Sequence, residues 1–131
     1  MRFGVRIGSL VALGLAVLST SAAAADWVKF YTTSSGAEAF YNAESVQRTG
    51  DRARVWVRAD PPPADTGDVS SYVGLQEMDC AARTRATLTL NVHYRDGRVQ
   101  TIEGDGSFEA IEPDTTAAAI HDIVCRADAA S

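Results

Sequence analysis

From residue 27 onward, apolar and polar positions alternate in short runs, and a period of two marks strands with one buried and one wetter face. "TRATLTLNVHY", residues 84–94, is the clearest run. Ala86, Leu88, Leu90, Val92 and Tyr94 fall on one side, expected to face the core. Arg85, Thr87, Thr89, Asn91 and His93 fall on the other. "RARVWVRA" alternates as cleanly: Ala53, Val55, Val57 and Ala59 oppose Arg52, Arg54, Trp56 and Arg58. "DWVKFYTT" and "AEAFYN", parted by "SSG", predict a hairpin over Trp27 to Asn42. "SYVGLQEMDC" and "VQTIEG" complete about six strands. The Asp96-Gly97 pair predicts a two-residue hairpin turn, which needs positive φ.

Two stretches break the alternation. "DPPPADTGDVS" cannot continue a strand, because proline lacks the amide donor; it reads as an exposed loop. "TTAAAIHDIVCRA" has helical spacing instead. Ala117, Ile120 and Val124 form one stripe, with Ala118, His121 and Cys125 beside it. Pro113 and Asp114 signal its start, with Asp114 or Thr115 as the N-cap. Strands followed by one helix give an α+β class, an antiparallel and mostly sequential sheet with the C-terminal helix packed on it.

The beginning of the chain has another pattern. "MRFGVR" is basic, "IGSLVALGLAVL" is apolar, and "STSAAAA" ends in small residues. That is a cleaved secretory signal peptide over residues 1–25, cut after Ala25 or else Ala24. A dozen apolar residues are too few for a spanning helix, which needs about 20. No cysteine stands at the expected cleavage site to be lipidated, so neither a membrane span nor a lipid anchor is expected. The expected destination is the periplasm or the medium. Cleavage removes two arginines and no acid, so Lys+Arg falls from 12 to 10 against 17 acidic residues, and net charge moves from −5 to −7. Residues 26–131 then form one domain with one core. Its acidity argues against nucleic acid as a partner.

Cys80 and Cys125 are the only cysteines. In an exported chain they read most simply as one disulfide. Neither His93 nor His121 completes a nucleophile motif, and a zinc site asks for about four ligands in paired spacings. No metal, cofactor or catalytic residue is therefore assigned. Glu77, Asp79 and Glu103 have no spacing that demands acid–base work, and Asp79 is expected to cap local backbone or to pair with Arg83 or Arg85.

Several motifs, in order, resemble the surface-adhesin protein E family of small exported bacterial proteins. They are Trp27, "AFYNAESVQRTGDRARVWV", "MDCAARTRATL" with Asp79-Cys80, the Tyr94 to Gly97 turn, "IEP" at Ile111 to Pro113, and the apolar pair before Cys125. The family's tryptophan ahead of the last proline is Phe108 here. The resemblance implies a curved, half-barrel-like antiparallel sheet with a C-terminal helix tied to it by a disulfide. It also implies an adhesin-like, non-enzymatic role.

The candidate ligand-binding residues are Arg52, Arg54, Trp56 and Arg58 on one strand face, with Arg83 and Arg85 near the start of another. A basic stripe beside an aromatic suits an acidic protein segment, a polyanionic glycan or a phospholipid headgroup. An ordinary solvated face, covered by long basic side chains, is the alternative. Trp27, Phe30, Tyr31, Phe40 and Tyr41 read as core and hairpin packing. Two functions follow: a binding module acting through the basic face or an edge strand, or a periplasmic structural protein that pairs with itself as a homodimer.

Overall fold

A computed structural model describes residues 26–126. The expected signal peptide, residues 1–25, and residues 127–131 lie outside them. The strands are β1 (Trp27–Thr32), β2 (Glu38–Asn42), β3 (Gln47–Thr49), β4 (Arg52–Asp60), β5 (Val69–Asp79), β6 (Thr84–Tyr94), β7 (Val99–Glu103) and β8 (Glu109–Ala110). The helix α1 spans Thr116–Arg126. The sheet is antiparallel throughout, in the order β1-β2-β4-β5-β6-β7. The six strands expected from alternation form this path. The short β3 and β8 add to it, pairing with β4 and β6. Too short to alternate, they fall outside the strands expected from the sequence.

One face of the sheet holds the core. Ala53, Val55 and Met78 pack there against Ile111 and against Ile120 and Val124 of α1. The expected helical stripe is the one that is buried. Thr115 is the N-cap: its hydroxyl accepts from the Ala118 amide at 3.2 Å. At the other end, Cys125 joins Cys80, just beyond β5, across a Cα–Cα distance of 5.6 Å. The predicted disulfide is present.

Three irregularities in register shape the sheet, at Phe30, Ser70 and Leu88. Each inserts one residue opposite a continuous partner, which bends the strand and increases its twist. The one at Leu88 has the largest consequence. Leu75 pairs with Thr89 and Gln76 with Thr87, so Leu88 has no partner on β5. The alternation of β6 slips by one residue there. Arg85 and Thr87 turn to the helix side with Leu90 and Val92, while Ala86 lies on the outer side opposite Glu77. Ala86 and Arg85 therefore occupy the faces opposite to those expected. Gln76 answers the misplaced polar groups, accepting from Thr87 Oγ1 at 3.2 Å and from Arg85 Nη1 at 3.5 Å.

The β6–β7 connection also differs from expectation. Tyr94 N donates to Arg98 O at 2.9 Å and Gly97 N to Tyr94 O at 3.0 Å, so the loop has three residues. Only Gly97, at φ +92°, takes the left-handed conformation there; Asp96 instead accepts from the Arg98 amide. That is the three-residue alternative to the two-residue turn.

Candidate functional site

The outer face of β4 carries Arg52, Arg54, Trp56 and Arg58 together, as expected. The next strand changes their meaning. Asp79 stands opposite Arg52, and Glu77 opposite Arg54. The ion pairs measure 3.6 Å and 3.7 Å. Arg58 reaches Asp60 on its own strand at 3.2 Å. Each arginine of the stripe thus has a carboxylate, and the face is a ladder of ion pairs without an excess of positive charge. Arg52 is 47 % and Arg54 52 % exposed, so these pairs are worth little individually.

Aromatic rings complete the ladder. The Arg58 guanidinium lies 4.2 Å from the Phe40 ring centre and 5.3 Å from that of Trp27. Its Nε is near Asp60 but out of line for a hydrogen bond. Arg52 lies 4.3 Å from the ring centre of Phe108. Trp27 and Phe40 were read with core and hairpin packing; they lie in the β1–β2 hairpin, on its outer face against Arg58. Phe30 and Tyr41 do pack on the core, in an edge-to-face pair at 5.8 Å. Asp79 caps local backbone as expected, accepting from the amides of Ala81 and Ala82 at 3.1 Å and 3.0 Å. Its ionic partner is Arg52, across the strand pair, and not Arg83 or Arg85.

Arg83 and Arg85 stand apart from the stripe. Arg83 is exposed in the β5–β6 turn, at φ +53°. Arg85 lines a cleft of about 430 Å³ between the sheet and the start of α1, with Val57, Gln76, Met78, Ile111 and Ile120. No spacing rule could have separated Arg85 from Arg54, because the slip at Leu88 depends on pairing with β5.

The sequence of a strand also fails to show which edge is covered. β1 ends the sheet on the side where α1 packs, with Tyr31 Oη donating to Asp114 O at 3.1 Å. At the other end every residue of β7 is exposed, with Val99 at 53 % and Ile102 at 45 %. Tyr94 N donates to Arg98 O and Gly104 N to Leu88 O, which sets the hydrogen-bonded pairs. By alternation, Gln100 and Ile102 bond to β6, while Val99, Thr101 and Glu103 turn their N–H and C=O groups outward. Among the described residues nothing pairs with that row. No described helix is long and apolar enough to cross a membrane.

This architecture meets its relatives in sequence and in fold. The sequence profile of surface-adhesin protein E matches residues 27–126. The chain belongs to the surface-adhesin protein E family. Two solved structures of Haemophilus influenzae protein E are similar to it in fold. One has a TM-score of 0.56 at 11 % identity, covering 80 % of this chain and 87 % of that one. A second crystal form has a TM-score of 0.55 at 11 % identity, covering 76 % and 87 %. At that identity the likeness is one of fold. No curated protein matches the sequence. The family's sheet, helix and disulfide are all present here, as the resemblance implied.

Proposed function

We propose that the chain is an exported, non-enzymatic binding module of adhesin type that recognises an extended segment of a protein partner by strand addition at β7. Membership of the surface-adhesin protein E family supports the adhesin-like role. The unpaired outward row of Val99, Thr101 and Glu103 carries the choice of site. An added strand satisfies those main-chain groups, while neighbouring apolar side chains supply contact area. Ile102 and Tyr72, 45 % and 40 % exposed, lie on the helix side of the sheet where α1 does not reach.

A polyanionic glycan is less well supported, because the arginines of β4 are matched by Asp79, Glu77 and Asp60. The same β7 row supports the second reading, homodimerisation: two copies meeting edge to edge at Thr101 bring Val99 opposite Glu103, with no like charges opposed.

Thr101→Pro tests both readings. It removes an outward donor and leaves the bonds to β6 intact. Partners are captured from the native envelope with the mature, oxidised chain and with the variant, and the mass of each is followed up to high concentration. Strand addition predicts that the wild type is monomeric and that the variant loses its partner while remaining folded. Concentration-dependent dimers abolished by the substitution support self-association instead. A variant that keeps its partner and its oligomeric state overturns β7 as the site.

A further inference from the structure

His121 is the one buried polar side chain among the described residues, 4 % exposed. Neither ring nitrogen has a hydrogen-bond partner among the described residues. A buried imidazole normally finds one, since a polar group taken out of water and left unpaired destabilises the fold. This ring faces the disulfide: a ring nitrogen and the sulfurs of Cys80 and Cys125 all lie within 4.8 Å of one another. His121 and Cys125 share one side of α1, four residues apart, and Cys80 comes from the end of β5. Fold and helix together thus assemble three soft-metal ligands that are scattered in the sequence.

We propose that reduction of this disulfide uncovers a zinc site formed by Cys80, Cys125 and His121, with the fourth position open to water. A dithiol reductant gives two electrons and two protons to the S–S bond and leaves as its own disulfide, giving two thiols. Zinc(II) then displaces both thiol protons to solvent and takes two thiolates and a neutral imidazole. Two thiolates cancel the ion's charge, so occupancy adds no net charge to a largely buried place. Bond lengths of about 2.3 Å to sulfur and 2.0–2.1 Å to nitrogen put tetrahedral ligand atoms roughly 3.5–3.8 Å apart. The present cluster, within 4.8 Å, reaches that by opening the S–S bond and rotating the two side chains. The backbone is held independently of the disulfide. Cys80 N donates to Asp51 O at 2.7 Å, and Cys125 O accepts from Arg48 at 2.9 Å. Asp122 Oδ1, 3.8 Å from His121 Nδ1, is within a small rotation of the outer carboxylate that metal-bound imidazoles usually carry.

The test uses the mature chain reduced by a phosphine, which takes its oxygen from water and leaves as the phosphine oxide. Cadmium titration reads the thiolate-to-metal charge-transfer band, zinc competition gives the affinity, and far-ultraviolet circular dichroism follows α1 in the same samples. The reduced wild type is expected to bind one ion, and the oxidised chain none. His121→Gln should weaken binding at least about 10-fold, since even the outer partners of metal ligands are worth 10–100-fold. If reduction unfolds the chain, zinc should restore the helix in the wild type and not in His121→Gln. The site is disproved by equal affinity in wild type and His121→Gln, by no binding to the reduced chain, by equal binding to the oxidised chain, or by zinc that binds without holding the helix.

Discussion

Arg48 of β3 donates from Nη1 to the main-chain oxygen of Cys125 at 2.9 Å and to that of Val124 at 3.3 Å, while its Nε donates to Gly50 O at 2.8 Å. One guanidinium therefore ties the β3–β4 turn to the end of α1. The last carbonyls of a helix have no partner within it, and a cation there also suits the helix dipole. Arg48→Ala should destabilise the chain by about 1–2 kcal/mol, the range for a charged donor that is partly exposed. Urea unfolding with an unchanged slope checks it. Arg48→Lys should recover only part of the loss, because one ammonium cannot hold the same fork of acceptors.

Gly104 closes β7 against the irregularity in β6. Its amide donates to Leu88 O at 2.9 Å. A Cβ built there collides with the main-chain oxygen of Thr87 and lies 2.9 Å from its carbonyl carbon. Backbone cannot retreat as a side-chain tip can. Gly104→Ala is expected to cost about 1–3 kcal/mol. The damage should be local, with the amides of β7 exchanging fastest relative to wild type. Uniform loss of protection across the sheet would contradict it.

The disulfide closes a loop between positions separated by 45 residues. In the loop-entropy treatment that corresponds to about 4 kcal/mol. Cys80→Ser with Cys125→Ser should lower stability by that order, and denaturant unfolding of the oxidised wild type against the double variant measures it. A loss below about 1 kcal/mol would mean that Arg48 and the buried stripe of Ile120 and Val124 hold the helix without the bridge.

What could be read from the chain depended on whether one element carried its own signal. β4, β6 and α1 did, because their residues alternate with the matching period, and in β4 and α1 that period also marks the buried face. β3 and β8 carry two or three residues each, too few for a period. The run through Leu88 alternates without a flaw, yet the structure slips there, because the irregularity belongs to the pairing with β5. Arg85 moved to the other face for that reason. The arginines of β4 were visible and their grouping was correct. Their neutralisation by Asp79 and Glu77 was not, since it needs the register of two strands. Cys80 with Cys125 was legible from export and from a count of two; His121 beside them was visible only as a neighbour of Cys125 on the helix.

The β6–β7 turn should loosen in acid. Asp96 is held below its ordinary value of 3.8, chiefly by the hydrogen bond from the Arg98 amide and then by the Arg98 side chain at 2.7 Å. A carboxylate with a depressed folded value contributes above its unfolded value and loses that contribution as pH falls through the folded one. Lower protection of the Arg98 amide, taken against its intrinsic exchange rate at each pH, should therefore appear in the wild type below about pH 4 and be absent in Asp96→Asn, whose Arg98 amide is already poorly protected at neutral pH. An unchanged Arg98 amide in Asp96→Asn would remove the carboxylate from this role.

Arg54 and Glu77 face each other across β4 and β5 at 3.7 Å, and reversing one of them separates charge as recognition from charge as pairing. Arg54→Glu puts two acids directly opposite, which should cost about 0.2–1 kcal/mol at a half-exposed site. Arg54→Glu with Glu77→Arg restores the pair with its sense inverted and should recover most of that loss. If β7 is the recognition edge, both variants keep their partner, and Thr101→Pro alone releases it. If the β4 face recognises a polyanion, Arg54→Glu with Arg58→Glu weakens capture and flattens its dependence on salt, whereas the inverted pair, with no change in net charge, leaves it nearly intact. Capture measured on these variants at two ionic strengths therefore distinguishes an edge that pairs main chain from a face that pairs charge.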